Sequence, residues 1–368
     1  MSARAVIGGR RAPLRGGSGL KIPPDSRCAT SIAAELSEAP DVVRRQRGIL
    51  ARSVNELTGF LKSTPPRVVL TCARGSSANA ATFGKYLIER HLGIPVAAIA
   101  PSIMSVYRKG LRLERQLFLA ISQSGRSEDL IESAACAKDS GALTAALVND
   151  IESPLASYCD IVLPMNAGQE LNVAATKTFV ASLTALLDLT AAWSDGQEVR
   201  AALDRLPDRL MSAAELDWTN ALGALSAAES LVTLGRGPTL AIAQEASLKL
   251  KEICHIHAEA FSGAEFQHGP IALVAKGYPV LIFMPGDASA ANLTELTIDL
   301  GRKGASVFVT SGNSSSGGCG LPILAPDHPD VDAVCLIQSF YALAINIAQH
   351  RGINIDQPRH LQKITRTR

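Results

Sequence analysis

Residues 118–127 read Phe118-Leu119-Ala120-Ile121-Ser122-Gln123-Ser124-Gly125-Arg126-Ser127, a short apolar run followed at once by a small, hydroxyl-rich loop. A strand that is apolar on both faces must be covered on both faces, which is the condition of a parallel sheet between helix layers. The loop leads into a helical pattern from Glu128 to about Ser140. The preceding stretch has the same order: strand Val68 to Cys72, loop Arg74-Gly75-Ser76-Ser77, then a helix from Ala80 to Arg90. Further strands are expected at Ala142 to Val148 and Ile161 to Leu163. Ahead of them, helical periodicity from Thr30 to Leu61 is interrupted near Pro40, which predicts two helices before the first strand. The fold class is α/β.

The pattern occurs twice. Arg74-Gly75 recurs as Arg236-Gly237, an offset of 162 residues, and each pair follows an apolar strand. At that offset Ser124 corresponds to Gly286, behind the strand Val280 to Phe283, and Ser306 to Thr310 lies 163 residues beyond Leu143 to Leu147. One duplicated α/β unit explains all three matches. Residues 196 to 229 then read as helices joining the halves. The expected organisation is a basic tail at 1–28, a first domain at 29–195 with its N-terminal helices, and a second at 196–368 with a C-terminal tail. Only the first half keeps Ser-rich loops; the second has Gly-Pro and Pro-Gly instead.

Composition narrows the function classes. In 368 residues, 36 basic side chains face 34 acidic ones, and the net charge of +2 provides no electrostatic footprint for nucleic acid. Only 4% of residues are aromatic, which suits helices on sheets better than an all-β sandwich. The seven cysteines are an odd number with no Cys-x-x-Cys pair, so neither a disulfide framework nor a structural zinc site is expected. No uninterrupted apolar run reaches the roughly 18 residues that span a bilayer. Residues 1 to 24 carry arginines but no apolar core of a secretion signal, so they read as a disordered tail of a cytoplasmic protein.

Several patterns could carry chemistry. Ser122 to Ser127 falls where a parallel strand ends and a helix begins, the edge at which open α/β sheets bind ligands and at which helix amides attract anions. Its hydroxyls, with Ser76-Ser77 on the adjacent strand edge, suit a phosphate monoester; a capped helix start accounts for each loop taken alone. No nucleotide-binding glycine motif is present. After Gly237, Glu245, Lys249 and Glu252 are spaced i, i+4, i+7 and share one helix face. Either that face is solvated, or it is a charged stripe within a covered helix, since the other faces are Ala, Leu and Ile. His255 and His257 lack metal-ligand spacing. His268, before Gly269-Pro270, is expected in a turn, where an imidazole can move protons near neutral pH. Asn166 to Lys177 reads as a long loop entering a buried helix. Asp356 to Lys363 reads as a polar tail lying on the protein behind an apolar helix, Ser339 to Ala348.

Taken in order, Gly75-Ser76-Ser77, Ser122-Gln123-Ser124-Gly125, Glu170 to Lys177, Leu248 to Ile253, His257 to Ala260, His268-Gly269-Pro270 and Asp356 to Arg359 resemble the isomerase half of the glucosamine-6-phosphate synthases, over roughly residues 30 to 368. That half consists of two tandem sugar isomerase (SIS) domains, each a flavodoxin-like three-layer sandwich. The resemblance implies a phosphate site at Ser77, Ser122, Gln123, Ser124 and Ser127, with Ser76, Val173 and Glu245 touching substrate. It implies that Glu252 shuttles the proton between C1 and C2, His268 assists ring opening and Lys363 forms a Schiff base, with Lys249 near the reacting carbons. It further implies a homodimer in which His268 reaches the neighbouring subunit's site, and no cofactor or metal.

The departures point to a branch of that family. Met1-Ser2 opens a short Arg/Gly-rich tail where the synthases have a glutaminase domain, so glutamine hydrolysis is not expected. Ala73-Arg74-Gly75 and Ser124-Gly125-Arg126-Ser127 resemble the SIS-type glucosamine-6-phosphate deaminases, and Ala175 stands where the synthases have a serine that touches the sugar. The expectation is an isomerising deaminase that converts glucosamine 6-phosphate and water to fructose 6-phosphate and ammonia. Two alternatives remain. One is a deglycase or isomerase for another phosphosugar amine, with Arg74 and Arg126 meeting a further anionic group. The other is a non-catalytic phosphosugar sensor.

Overall fold

The computed structural model describes residues 31–311 and 317–363. The basic N-terminal segment read as a tail lies outside the described residues. The first half runs α1 (Ser31–Ser37), α2 (Ala39–Ser63), β1 (Val69–Ala73), α3 (Gly75–Leu92), β2 (Val96–Ala98), α4 (Pro101–Ser105), β3 (Leu117–Ser122), α5 (Glu128–Asp139), β4 (Leu143–Val148), α6 (Pro154–Tyr158), β5 (Ile161–Pro164) and α7 (Lys177–Trp193). Helices α8 (Gln197–Ala214) and α9 (Thr219–Ala227) lead to β6 (Ser230–Gly235), α10 (Pro238–Cys254), β7 (His257–Ser262) and α11 (Gly263–Phe266). The chain continues with β8 (Pro279–Ile282), α12 (Ala290–Arg302), β9 (Ser306–Thr310), β10 (Cys319–Leu321) and α13 (Pro329–His350).

Each half carries a five-stranded parallel sheet, ordered β2-β1-β3-β4-β5 and β10-β9-β8-β6-β7. The duplication extends to strand register. Val69 pairs with Val96 and Leu231 with Ala258; Leu70 pairs with Phe118 and Val232 with Val280, every residue displaced by the same 162 positions. The β3 strand is buried along its whole length, as its unbroken apolar run requires, and α5 covers one face of its sheet. The other faces of both sheets share one continuous core, built on α3, α7, α10 and α13.

Several expectations change. Helix α3 begins at Gly75, not Ala80, so Ser76 and Ser77 belong to its first turn. Helix α10 ends at Cys254, and His257 opens an edge strand, β7, that the apolar pattern does not predict. That strand escapes notice because its outward positions are polar, and β2 and β10 because they have three residues each. Helix α13 starts ten residues earlier than its most apolar part. By length and composition it could cross a membrane, but 83% of its most apolar window is buried inside the protein, so it is a core helix.

Asp188, on α7, is half-buried beside Arg47 at 3.6 Å, and its second oxygen, which is buried, has no partner among the described residues. Burial, only partly offset by Arg47, pushes its carboxyl up to about 6. Between the ordinary value and about 6 the folded form keeps its proton while the unfolded form loses it, so stability falls as pH rises through that window. Asp188→Asn is expected to stabilise the protein relative to wild type by an amount that grows across pH 4 to 6, reaching about 1–3 kcal/mol. Urea unfolding at both ends of the range checks this, and a difference independent of pH would refute it.

Candidate active site

The charged stripe on α10 is buried. Glu245 and Lys249 have no exposed surface, and only Glu252, with a side chain 20% exposed, reaches the surface. Charges cannot be sequestered without partners, and the partners come from three elements. The Lys249 ammonium donates to Glu252 at 2.6 Å and to Ser76 at 3.0 Å, and lies 3.2 Å from Glu245. Glu245 also accepts from Ser76 at 2.9 Å, from Asn79 of α3 at 2.8 Å and from Tyr341 of α13 at 3.2 Å. One helix from each sheet and one core helix therefore meet in a single polar knot.

The electrostatics follow from that geometry. Burial alone would lower the Lys249 ammonium, but the Glu245 and Glu252 carboxylates outweigh it and hold it above its ordinary value. It stays charged at neutral pH. Burial and then the Glu245 charge push the Tyr341 hydroxyl well up, so it remains a donor. The charges of Glu170 and Glu252 act on the same hydroxyl.

Glu170 is the other end of the site. Its carboxylate closes the N-terminus of α7, accepting the main-chain N–H groups of Thr176 at 3.0 Å and Thr178 at 3.2 Å. Lys363, at the end of the tail, donates to Glu170 at 3.3 Å and to the carbonyl of Asn172. The tail thus lies on the loop that enters α7, and Val173, half buried, sits in that loop.

The strand-end loop divides the expected phosphate set. Ser122 is buried and its hydroxyl accepts the Gly125 N–H at 3.1 Å, while Ser124 accepts the Arg126 N–H at 3.3 Å. These two shape the loop. Ser77, Gln123 and Ser127 have side chains with no hydrogen-bond partner among the described residues and so present open donors. Gly125 has φ 62°, and a Cβ there would come within 2.1 Å of the Ser153 hydroxyl, so no larger residue fits. Both arginines of the loops are paired, Arg74 with buried Asp129 at 2.6 Å and Arg126 with Asp150 at 2.8 Å.

Ser76, read as a substrate contact, is committed to Glu245 and Lys249. His268 lies in an exposed turn, and no hydrogen bond or ion pair joins it to Glu252 or Lys249 among the described residues. A cavity of about 390 Å³ adjoins the site along the neighbouring face of α10, between Gly75, Asn79, Gln244, Lys251 and Phe261. Asn79 and Tyr341 were not anticipated. Asn79 shares a face of α3 with Ser76 at i, i+3 spacing, a readable signal, whereas a tyrosine within an apolar helix provides none.

Comparison with known proteins places this geometry. The SIS domain profile matches residues 64–192 and 224–318. Glutamine–fructose-6-phosphate aminotransferase (isomerizing) of Caulobacter vibrioides is 34% identical over 310 residues, which are 79% of this chain and 50% of that enzyme. The chain spans about half the length of such curated relatives, and the match is to their isomerase half. A Silicibacter pomeroyi crystal structure, of a protein to which phosphosugar isomerase activity is ascribed, is 43% identical with a TM-score of 0.86, covering 89% of this chain and all of the other. The C-terminal domain of glucosamine-fructose-6-phosphate aminotransferase from Francisella tularensis is 27% identical with a TM-score of 0.78, covering 89% of this chain and 98% of that one.

Replacing Lys249 leaves the buried Glu245 carboxylate and the partly exposed Glu252 carboxylate facing each other without a cation. Lys249→Met is expected to destabilise the fold by about 3–5 kcal/mol, the range for breaking a buried pair on one side. Thermal unfolding measures it; a loss below about 1 kcal/mol would show that the knot is solvated.

Proposed function

The chain belongs to the SIS-domain family and is homologous to the isomerase half of the aminotransferases, and from that premise we propose that it is an isomerising deaminase of a hexosamine 6-phosphate. The substrate in this reading is glucosamine 6-phosphate and the products are fructose 6-phosphate and ammonia. The observation that carries it is Glu252, the one member of the buried charge cluster that reaches the surface, held at 2.6 Å by a lysine that stays protonated. A carboxylate so held is aimed in one direction, and a positioned carboxylate is the group that removal of a carbon-bound proton requires.

In this reading the phosphate sits on Ser77, Gln123 and Ser127, within a loop shaped by Ser122, Gly125 and Ser124. His268 of a second copy opens the sugar ring by moving a proton between O1 and the ring oxygen. Glu252 takes the C2 proton and returns it to C1 while one amine proton passes to O1, converting aldehyde and amine into hydroxymethyl and C2 imine. Water adds to the imine carbon and ammonia leaves, so atoms balance without a redox partner. Lys363 is the amine that can exchange with ammonia at C2 to form a Schiff base, and Glu170 receives its ammonium proton. The deaminase direction is supported by the Arg74-Gly75 and Gly125-Arg126-Ser127 phrases. The pairing of both arginines favours a substrate without a further anionic group.

Purified protein incubated with glucosamine 6-phosphate is expected to release ammonia and fructose 6-phosphate in equal amounts. Absence of both products, with cleavage of another phosphosugar amine, would redirect the assignment. Glu252→Gln is expected to lower kcat by about 10²–10⁴, while fructose 6-phosphate binding measured by calorimetry is retained. Unchanged turnover would remove Glu252 from this role.

A further inference from the structure

Lys363 stands at the end of a segment without regular structure, so its position must be set by what it lands on. One of its two acceptors is the main-chain carbonyl of Asn172. The peptide groups around that carbonyl are held by a residue of α1, far away in sequence. Through Oε1, Glu35 accepts the main-chain N–H of Leu171 and, at 3.3 Å, that of Asn172; through Oε2 it accepts the Asn172 carboxamide at 2.7 Å.

Glu35 is 5% exposed, and no lysine or arginine forms an ion pair with it among the described residues. A buried carboxylate facing only neutral donors pays a large desolvation cost, and here three N–H groups from one dipeptide offset it. The same short helix also meets the tail. The Ile32 N–H donates to Asp356 at 3.3 Å, and Gln338 of α13 donates to the Leu36 carbonyl at 3.1 Å. One residue beyond α1, Glu38 takes the buried Lys177 ammonium at 2.7 Å, at the point where the loop becomes α7. Helix α1 therefore grips both the loop that receives Lys363 and the tail that delivers it.

We propose that Glu35 is a positioning residue for Lys363. Its carboxylate orients the Leu171 and Asn172 peptides so that the Asn172 carbonyl faces the tail, and this sets where the Lys363 amine meets the substrate carbon. Glu35 itself touches no reacting atom. The inference rests on the reading of Lys363 as the Schiff-base lysine.

The test is borohydride reduction of the full-length protein with fructose 6-phosphate, with the adduct located by peptide mapping, alongside hydrogen exchange of residues 166–177. In Glu35→Gln the new amide group faces the Asn172 carboxamide, donor against donor. The rate of adduct formation at Lys363 is expected to fall about tenfold or more, the size of one lost charge-assisted hydrogen bond. Fructose 6-phosphate affinity should change by less than about threefold and Tm by less than about 4 °C. Exchange at Leu171 and Asn172 should accelerate. Adding Asn172→Asp swaps donor and acceptor and should restore the rate, an effect that general loosening of the fold cannot produce. A wild-type adduct rate in Glu35→Gln, or no recovery in the double variant, overturns the proposal. A wild-type protein that forms no adduct overturns the Schiff-base reading, and with it the catalytic meaning of Glu35. Unchanged exchange at 171 and 172 in Glu35→Gln overturns the part played by Glu35 alone.

Discussion

The buried Lys249 ammonium is the constraint on which the rest of the structure depends. With two carboxylates and a serine hydroxyl as its acceptors, it cannot be reached by water, and its position requires Ser76 from the first half and Glu245 and Glu252 from the second to be present together. Such a cluster is costly to desolvate and brings little net stability. Its consequence is specificity of assembly: the two halves can dock only in the relation that satisfies every donor and acceptor. The same cluster leaves part of the Glu252 side chain exposed.

The duplicated architecture shows how differently the two halves use the same helix face. At the offset that aligns the sheets, Glu245 corresponds to Phe83, Lys249 to Leu87 and Glu252 to Arg90. Phe83 and Leu87 are fully buried and apolar, so the equivalent face of α3 is ordinary core. Arg90 turns instead to the loop after β8, pairing with Asp287 at 2.7 Å and with buried Asp330, which also holds His91 at 2.8 Å. Where the first half leaves open hydroxyls and a carboxylate, the second closes the same position with an internal ion cluster. That ion cluster is a joint between the halves, with Arg90 and His91 from the first and Asp287 and Asp330 from the second.

Much of the fold was legible because it rests on local periodicity. The apolar run at Phe118 and its copy at Val280 are strands whichever residues surround them, and the offset between them carries over to strand register. The boundaries that went astray had local causes. Ser76 and Ser77 enter α3 because Gly75 adopts φ 53°, from which the helix starts at once. The edge strand β7 is polar on its outer side. Within the site, the i, i+4, i+7 stripe was visible, but its burial was not, since a charged stripe has the same spacing on a solvated face.

What the sequence determined by itself was the two α/β units, the loops at their strand ends and the types of chemistry-bearing residues, because each depends on neighbours within a few positions. What only the tertiary structure decided was which of those residues act on one another. Ser76 proved to be a ligand of the buried charge cluster, Tyr341 and Asn79 its unforeseen donors, and Glu35 the support of a loop 136 residues away. These pairings join residues far apart in the chain, and nothing in local spacing records them. They follow from the desolvation penalty, which forces every charge buried by the packing of the two halves to find a partner wherever the fold brings one.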